Sequence, residues 1–236
     1  MTVQRWSDRL YPTPADWDPV AIFRQHLERT PRPIGRAVEF GAGAGRLNAH
    51  DVKRTVGHLV GVDLSRRINE NDLIHSAVVG DAGQTPFADD AFDLAFAIYV
   101  LEHLEDAQGF CTELARILRP GGTFLALTPN RYHYVPAVSR ITPHSFHTWF
   151  QLRRSGLDEG DVFPTYYRLN SRRTLNALLA KAGFTDIRCD MIEVRPNYLA
   201  WSTPSFLAGA VYERLVNGTA LLAGLRVNII VSARKQ

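Results

Sequence analysis

Between residues 36 and 130 one pattern recurs five times: a short apolar run closes on a glycine, an acid or a turn, and a polar or helix-periodic stretch follows. The runs are "RAVEF" (36–40), "HLVGVDLS" (58–65), "SAVVGDA" (76–82), a segment from about Phe92 to Ile98, and "TFLALTPN" (123–130). Continuous apolar strands that alternate with helices are buried on both faces and joined by crossovers. The pattern therefore predicts an α/β fold: a Rossmann-like, mostly parallel sheet with helices on both faces. A helix is expected over Arg46–Lys53 behind the first strand, and another from about Ala107 to Leu118, striped by Phe110, Leu114 and Ile117 and stopped by "RPGG". The rhythm breaks after Asn130 and returns with Ser171 as N-cap, a helix to Ala182, Gly183 as its stop and a strand from Phe184 to about Val194. A helix near 205–217 and a strand from Leu225 to Ser232 bring the strands to seven.

A chain of 236 residues, 45% hydrophobic and 22% charged, fits one globular domain spanning 1–236 and argues against disorder. Its net charge of +3 is too small to point to nucleic acid, since a binding face needs clustered charge. Cys111 and Cys189 form no disulfide framework and read as buried free thiols. The first residues carry acids, prolines and two tryptophans where a signal peptide needs an apolar stretch, so a cytoplasmic protein is expected. The apolar C-terminal region is broken by Glu213, Arg214, Asn217 and Arg226, so it reads as core and no stable membrane insertion is expected. Oligomeric state leaves no signal in the sequence.

The first strand runs into "VEFGAGAGR" (38–46), where Gly41, Gly43 and Gly45 allow backbone angles and close approaches that a side chain forbids. Asp63 and Asp81 stand at the ends of the next two strands, and in an open parallel sheet ligands bind beyond the carboxyl ends. Asp63 has the chemistry to accept both hydroxyl protons of a ribose. A dinucleotide fingerprint needs a third glycine where Arg46 stands, so a ligand with ribose and no pyrophosphate fits better than NAD. An NAD-dependent oxidoreductase remains the rival enzyme class, and a cofactor-binding regulator without turnover the non-enzymatic one.

"VEFGAGAGR", "GVDLS", "GDAGQTPFADDAFDLAFAIYVLEHLED" and "ILRPGGTFLALTPN" together resemble class I S-adenosylmethionine-dependent methyltransferases, strongly over about residues 35 to 130. The resemblance implies S-adenosyl-L-methionine as cofactor and a last strand that is antiparallel. It implies that Glu39, Gly41, Gly43 and Gly45 support the methionine portion and that Asp63, with Leu64 beside it, meets the ribose. It also implies that Asp81 and Ala82 meet the adenine and that Ile98 and Tyr99 line the methyl side.

Displacement at a sulfonium methyl needs no nucleophilic side chain, but a hydroxyl acceptor gains from a base. His103, just beyond the fourth strand, is the first candidate; a histidine at such a position equally serves to bond backbone or the adjacent Glu102 and Glu105. His144 and His147 form a second group. The same segment resembles ubiquinone-type O-methyltransferases, in which an extra acid helps to hold a metal; Tyr99 stands there, so no metal is expected. Residues 131–170 are too long for a simple connection. Their mixture of rings and arginines suits a cover over a small-molecule acceptor, amphipathic or anionic. The expected reaction is methyl transfer to an oxygen of a small molecule, with N- or C-methylation as alternatives.

Overall fold

The computed structural model describes residues 2–45, 52–139 and 163–236. Seven strands form one sheet in the order β3-β2-β1-β4-β5-β7-β6. They are β1 (Arg36–Phe40), β2 (His58–Asp63), β3 (Ser76–Val79), β4 (Phe92–Ile98), β5 (Leu118–Pro129), β6 (Phe184–Ile192) and β7 (Asn228–Lys235). β7 runs antiparallel to both its neighbours, and every other pairing is parallel. The sheet, its strand count and its one reversed strand match the expectation.

Alternation along each strand divides the core into two layers. Val38 and Phe40 point with Val60 and Val62 toward Phe110, Leu114, Leu175 and Leu179 of α5 (Ala107–Ile117) and α7 (Arg172–Lys181). Ala37, Leu94 and Phe96 point the other way, toward Phe23 and Leu27 of α3 (Pro19–Glu28) and Val52 next to Val56 around α4 (Val52–Thr55). Both faces are thus closed by helices, as continuous apolar strands require. Cys111 and Cys189 are free and buried.

Ser171 caps α7 by accepting the N–H of Thr174, and Gly183 beyond it adopts a φ of +91°. The "RPGG" segment differs in detail from the expected stop. β5 starts at Leu118, opposite Phe92, and the next aligned pair is Leu94 with Thr123, so Arg119–Gly122 form an excursion within the strand, with Gly121 at φ +77°. The final strand begins three residues later than expected, because a 3₁₀ turn occupies Ala220–Leu225.

Three N-terminal helices were not anticipated: α1 (Val3–Leu10), α2 (Pro14–Trp17) and α3. Their signals are local. Thr13 and Asp16 form a capping box around α2, with Pro14 inside its first turn, and Asp18 caps α3 ahead of Pro19. α6 (Tyr134–Ser139) follows β5, and α8 (Thr203–Gly218) packs Phe206 edge-on against Tyr11 beyond α1. The helix expected over 46–53 falls largely outside the described residues.

Candidate active site

Strand order reverses between β1 and β4, so the loops that leave these two strands face one another at the carboxyl edge. A Cβ at Gly41 would collide with Cγ2 of Val100, the second residue past β4, and Gly41 also sits at φ +70°. Gly45, at φ +84°, faces Asn71, whose Oδ1 would lie 2.8 Å from an added Cβ. Asn71 braces the loop from beneath, donating to the carbonyls of Ala42 (3.0 Å) and Gly43 (3.2 Å). Nothing in the sequence singled it out; its signal is a polar residue 8% exposed behind the loop.

The loop's N–H groups are mostly committed inward. Gly41 donates to Val62 O, Gly45 to Ala42 O, and Gly43 to Oδ2 of Asp63 at 2.9 Å. Ser65 N donates to the other Asp63 oxygen at 2.7 Å. Asp63 is therefore fixed at both oxygens while each keeps a second lone pair for a vicinal diol. Leu64 beside it is 61% exposed. Asp81 is exposed and accepts the N–H of Gly83 at 2.7 Å, which closes a tight turn over Ala82 with Gln84.

Glu39 is the unusual group. Its side chain is 3% exposed, and no described residue donates a hydrogen bond to its carboxylate. Burial, with the charge of Asp63 adding to it, pushes its pKa up to about 8. An acid left in this state at the end of a central strand suits a ligand that brings a cation or an N–H donor.

Past β4, Ile98 packs into the core at 6% exposure and Tyr99 takes a φ of +57°, with its hydroxyl toward Asn228. His103 donates from Nδ1 to Pro164 O at 2.8 Å and lies edge-on to Phe163. That bond places the ring proton on Nδ1 and leaves Nε2 as an acceptor; burial lowers the pKa and keeps the ring neutral. Glu102 is 6% exposed, raised to about 7 by burial, and is reached by a chain of donors: Asn170 Nδ2 to Thr128 Oγ1 (2.6 Å), then Thr128 Oγ1 to Glu102 Oε2 (3.3 Å). Sequence reasoning singled out Glu102 as a partner of His103 but missed Thr128 and Asn170, which meet each other across 42 residues of chain. His144 and His147 lie outside the described residues. Among the described residues no three histidines, cysteines or acids converge as a metal site.

The stretch after β5 has a closed neck. Arg131 N donates to Asn170 O at 2.9 Å, and Asn170 Nδ2 also reaches Pro129 O. On the return, Tyr166 N bonds Glu102 O at 2.7 Å and Arg168 reaches Glu105 O, which fastens 163–168 to the segment past β4.

Residues 38–126 match the family model described as a methyltransferase domain. Over that stretch the chain is similar to class I S-adenosylmethionine-dependent methyltransferases. The cofactor of this family is S-adenosyl-L-methionine, and the buried acid beside Asp63 fits it, since the molecule carries both a sulfonium and an ammonium. A probable S-adenosylmethionine-dependent methyltransferase of Mycolicibacterium smegmatis is 43% identical over 127 residues, 50% of this chain and 47% of that protein. The ubiquinone/menaquinone biosynthesis C-methyltransferase UbiE of Vibrio vulnificus is 27% identical over 172 residues, 65% of each. The matches thus span between about half and two thirds of these curated relatives. Among solved structures, phosphoethanolamine N-methyltransferase 2 of Haemonchus contortus, in complex with S-adenosyl-L-methionine, shares the fold: TM-score 0.57, 18% identity, 100% of this chain and 60% of that one.

Proposed function

We propose that this methyltransferase moves the methyl group of S-adenosylmethionine to an oxygen of an amphipathic small molecule, with His103 taking the acceptor's proton. The observation that carries this reading is the state of His103: neutral, its Nδ1–H spent on Pro164 O, and its Nε2 lone pair unclaimed by any described residue. Glu39 and the loop Gly41–Gly45 hold the methionine end, Asp63 the ribose with Leu64 alongside, Asp81 and Ala82 the adenine, and Ile98 and Tyr99 border the methyl. Residues 131–170 act as the acceptor's cover, hinged at the Arg131–Asn170 neck. The cofactor supplies an electrophilic methyl; what the chain adds is alignment, the exclusion of water and a base. Alignment alone contributes roughly 7 to 11 kcal/mol, and a base typically about 10² to 10⁴ in rate.

Isotope-labelled methyl transfer into metabolite pools, read by mass spectrometry and NMR, identifies the atom that receives the methyl. His103→Gln should then lower kcat by about 10² or more with little change in cofactor affinity. An unchanged kcat removes His103 as the base, and a methyl found on carbon places the chain with its C-methylating relatives. Tight NADH binding without S-adenosylmethionine binding would return the oxidoreductase reading, and cofactor binding without any acceptor the regulator.

A further inference from the structure

The turn proposed for the adenine is anchored at both ends. It is entered through Gly80, whose N–H donates to Asp63 O at 2.9 Å, and Gln84 N closes it on Asp81 O at 3.2 Å. Gly83 lies against the backbone of α5, since a Cβ there would come within 3.8 Å of Phe110 N. The exit is held by a side chain of the same helix. Thr85, the residue after the turn, donates from N to Glu113 Oε1 at 2.8 Å, and its hydroxyl donates to the same oxygen.

Glu113 is fixed in its turn by Arg116, which grips it with two parallel bonds, Nε to Oε2 and Nη2 to Oε1, both 2.8 Å. The guanidinium reaches onward along the loop. Its Nη1 donates to Phe87 O and to Asp89 Oδ1, each at 2.7 Å, and Arg116 O accepts the N–H of Asp90 at 2.9 Å. Phe110, Glu113 and Arg116 stand three apart along α5, so one face of one helix carries the turn, its exit and the loop behind it. Phe110 also meets Phe40 of β1 edge-on, with ring centroids 5.3 Å apart, which ties the arrangement to the sheet.

Thr85 and Glu113 are each 9% exposed. An ion pair enclosed in this way adds little to stability, because the cost of stripping water from the charges offsets their attraction. What it imposes is a single geometry. That matters at Asp81, whose Oδ1 accepts from Gly83 N at 2.7 Å and whose Oδ2 takes no bond from a described residue. An ionised carboxylate can only accept, so the free oxygen suits the 6-amino group of a purine and repels a 6-oxo group. Reading that difference requires the carboxylate to stay within about 0.5 Å of its place. An exposed acid on a tight turn needs its neighbours for that.

We infer that Glu113 and Arg116 are positioning residues for the purine: acting through Thr85, they hold the Asp81–Gln84 turn so that the chain selects a 6-amino over a 6-oxo base in its cofactor. This role rests on the reading that Asp81 and Ala82 meet the adenine, and on nothing about the acceptor.

The experiment is calorimetry on the full chain with S-adenosylhomocysteine and with S-inosylhomocysteine, which carries a 6-oxo base, read as the ratio of the two dissociation constants. The native chain should favour the amino form by about tenfold to a hundredfold, the worth of one hydrogen bond to a charged acceptor. Asp81→Ala should erase the ratio. Glu113→Gln sets an amide against Arg116, and Thr85→Val removes only the hydroxyl bond; each should shrink the ratio by at least about threefold. A purely structural ion pair would lower Tm and leave the ratio alone. A native ratio in both variants therefore overturns the inference, while its loss in Asp81→Ala still upholds the adenine reading. A ratio near one in the native chain, or one that survives Asp81→Ala, overturns the adenine reading and the inference with it. If circular dichroism shows that Glu113→Gln does not fold, Thr85→Val decides by the same ratio.

Discussion

At the scale of single residues, the proposed cofactor site gives Glu39 and Asp63 different tasks. Asp63 is held by two backbone donors, so its geometry survives without ligand, and a diol would use the lone pairs left over. Asp63→Ala should weaken S-adenosylmethionine and S-adenosylhomocysteine alike by about 1.5 to 3 kcal/mol, the range for hydrogen bonds to a charged group; calorimetry with either ligand checks it. Glu39 behaves differently, because burial first and Asp63 second keep it protonated up to about pH 8. If the ligand's ammonium pairs with its ionised form, binding at neutral pH must release a proton. Affinity should then tighten as pH rises toward 8, by at most about tenfold per unit, and level off above it. Calorimetry in buffers of differing ionisation enthalpy reads the released proton directly, and Glu39→Gln should abolish both the release and the slope. A native affinity that does not move between pH 6.5 and 8.5 would mean that Glu39 stays protonated against the ligand.

At the scale of elements, the end of β5 and the segment 163–170 are tied together at Asn170. Asn170 is fully buried and joins three things at once: the Arg131 N–H, the end of β5 through Pro129 O, and Glu102 through Thr128. Asn170→Ala should cost about 1 to 3 kcal/mol, since it strands buried partners, and hydrogen exchange should quicken in 163–170. With S-adenosylhomocysteine alone, the segment 38–45 should gain protection and 163–170 should not; equal protection of both would make the 163–170 segment part of the cofactor site. The sequence made the sheet legible because fully buried strands must be continuously apolar, and it offered Gly41, Asp63 and Asp81 as candidates because each stands at or just past the end of such a strand. The N-terminal helices are short, and α2 and α3 are marked by caps rather than by a long apolar stripe, so periodicity passed over them. Asn71, Thr128 and Asn170 act through contacts distant in the chain, and no local spacing announces them. Glu39 was legible as a residue, whereas its raised pKa follows only from how deeply the neighbouring strands enclose it.

At the scale of the whole molecule, buried acids govern how stability responds to pH. Burial pushes Glu39 and Glu193 up to about 8 and Glu102 to about 7. In the folded chain these groups hold protons that the unfolded chain, with carboxyl values near 4.5, has already lost. Above pH 6.5 the unfolded state therefore binds fewer protons, and stability must fall as pH rises through 8. Two groups act in other windows. Burial lowers His133 to about 4, so its contribution fades as pH falls below 6.5. Glu113 resists its own burial through hydrogen bonds from Arg116 and Thr85, which hold it at about 2, so it matters only in acid. Between pH 6.5 and 8.5 the three raised acids dominate among the described residues, opposed only near the lower end by the lowered His26, His75, His103 and His133, and one kcal/mol there moves the melting temperature of a chain this size by roughly 2 to 4 °C. Thermal unfolding without ligand should show Tm falling by at least about 3 °C across that interval. Saturating S-adenosylmethionine should flatten the fall, because a ligand that pairs with ionised Glu39 binds more tightly as pH rises and stabilises the native state in proportion. Glu39→Gln should lessen it even without ligand, leaving the share due to Glu193 and Glu102. A Tm that rises with pH in the ligand-free protein would show that the buried acids are already ionised and paired, and would remove Glu39 as the proton-linked group of the cofactor site.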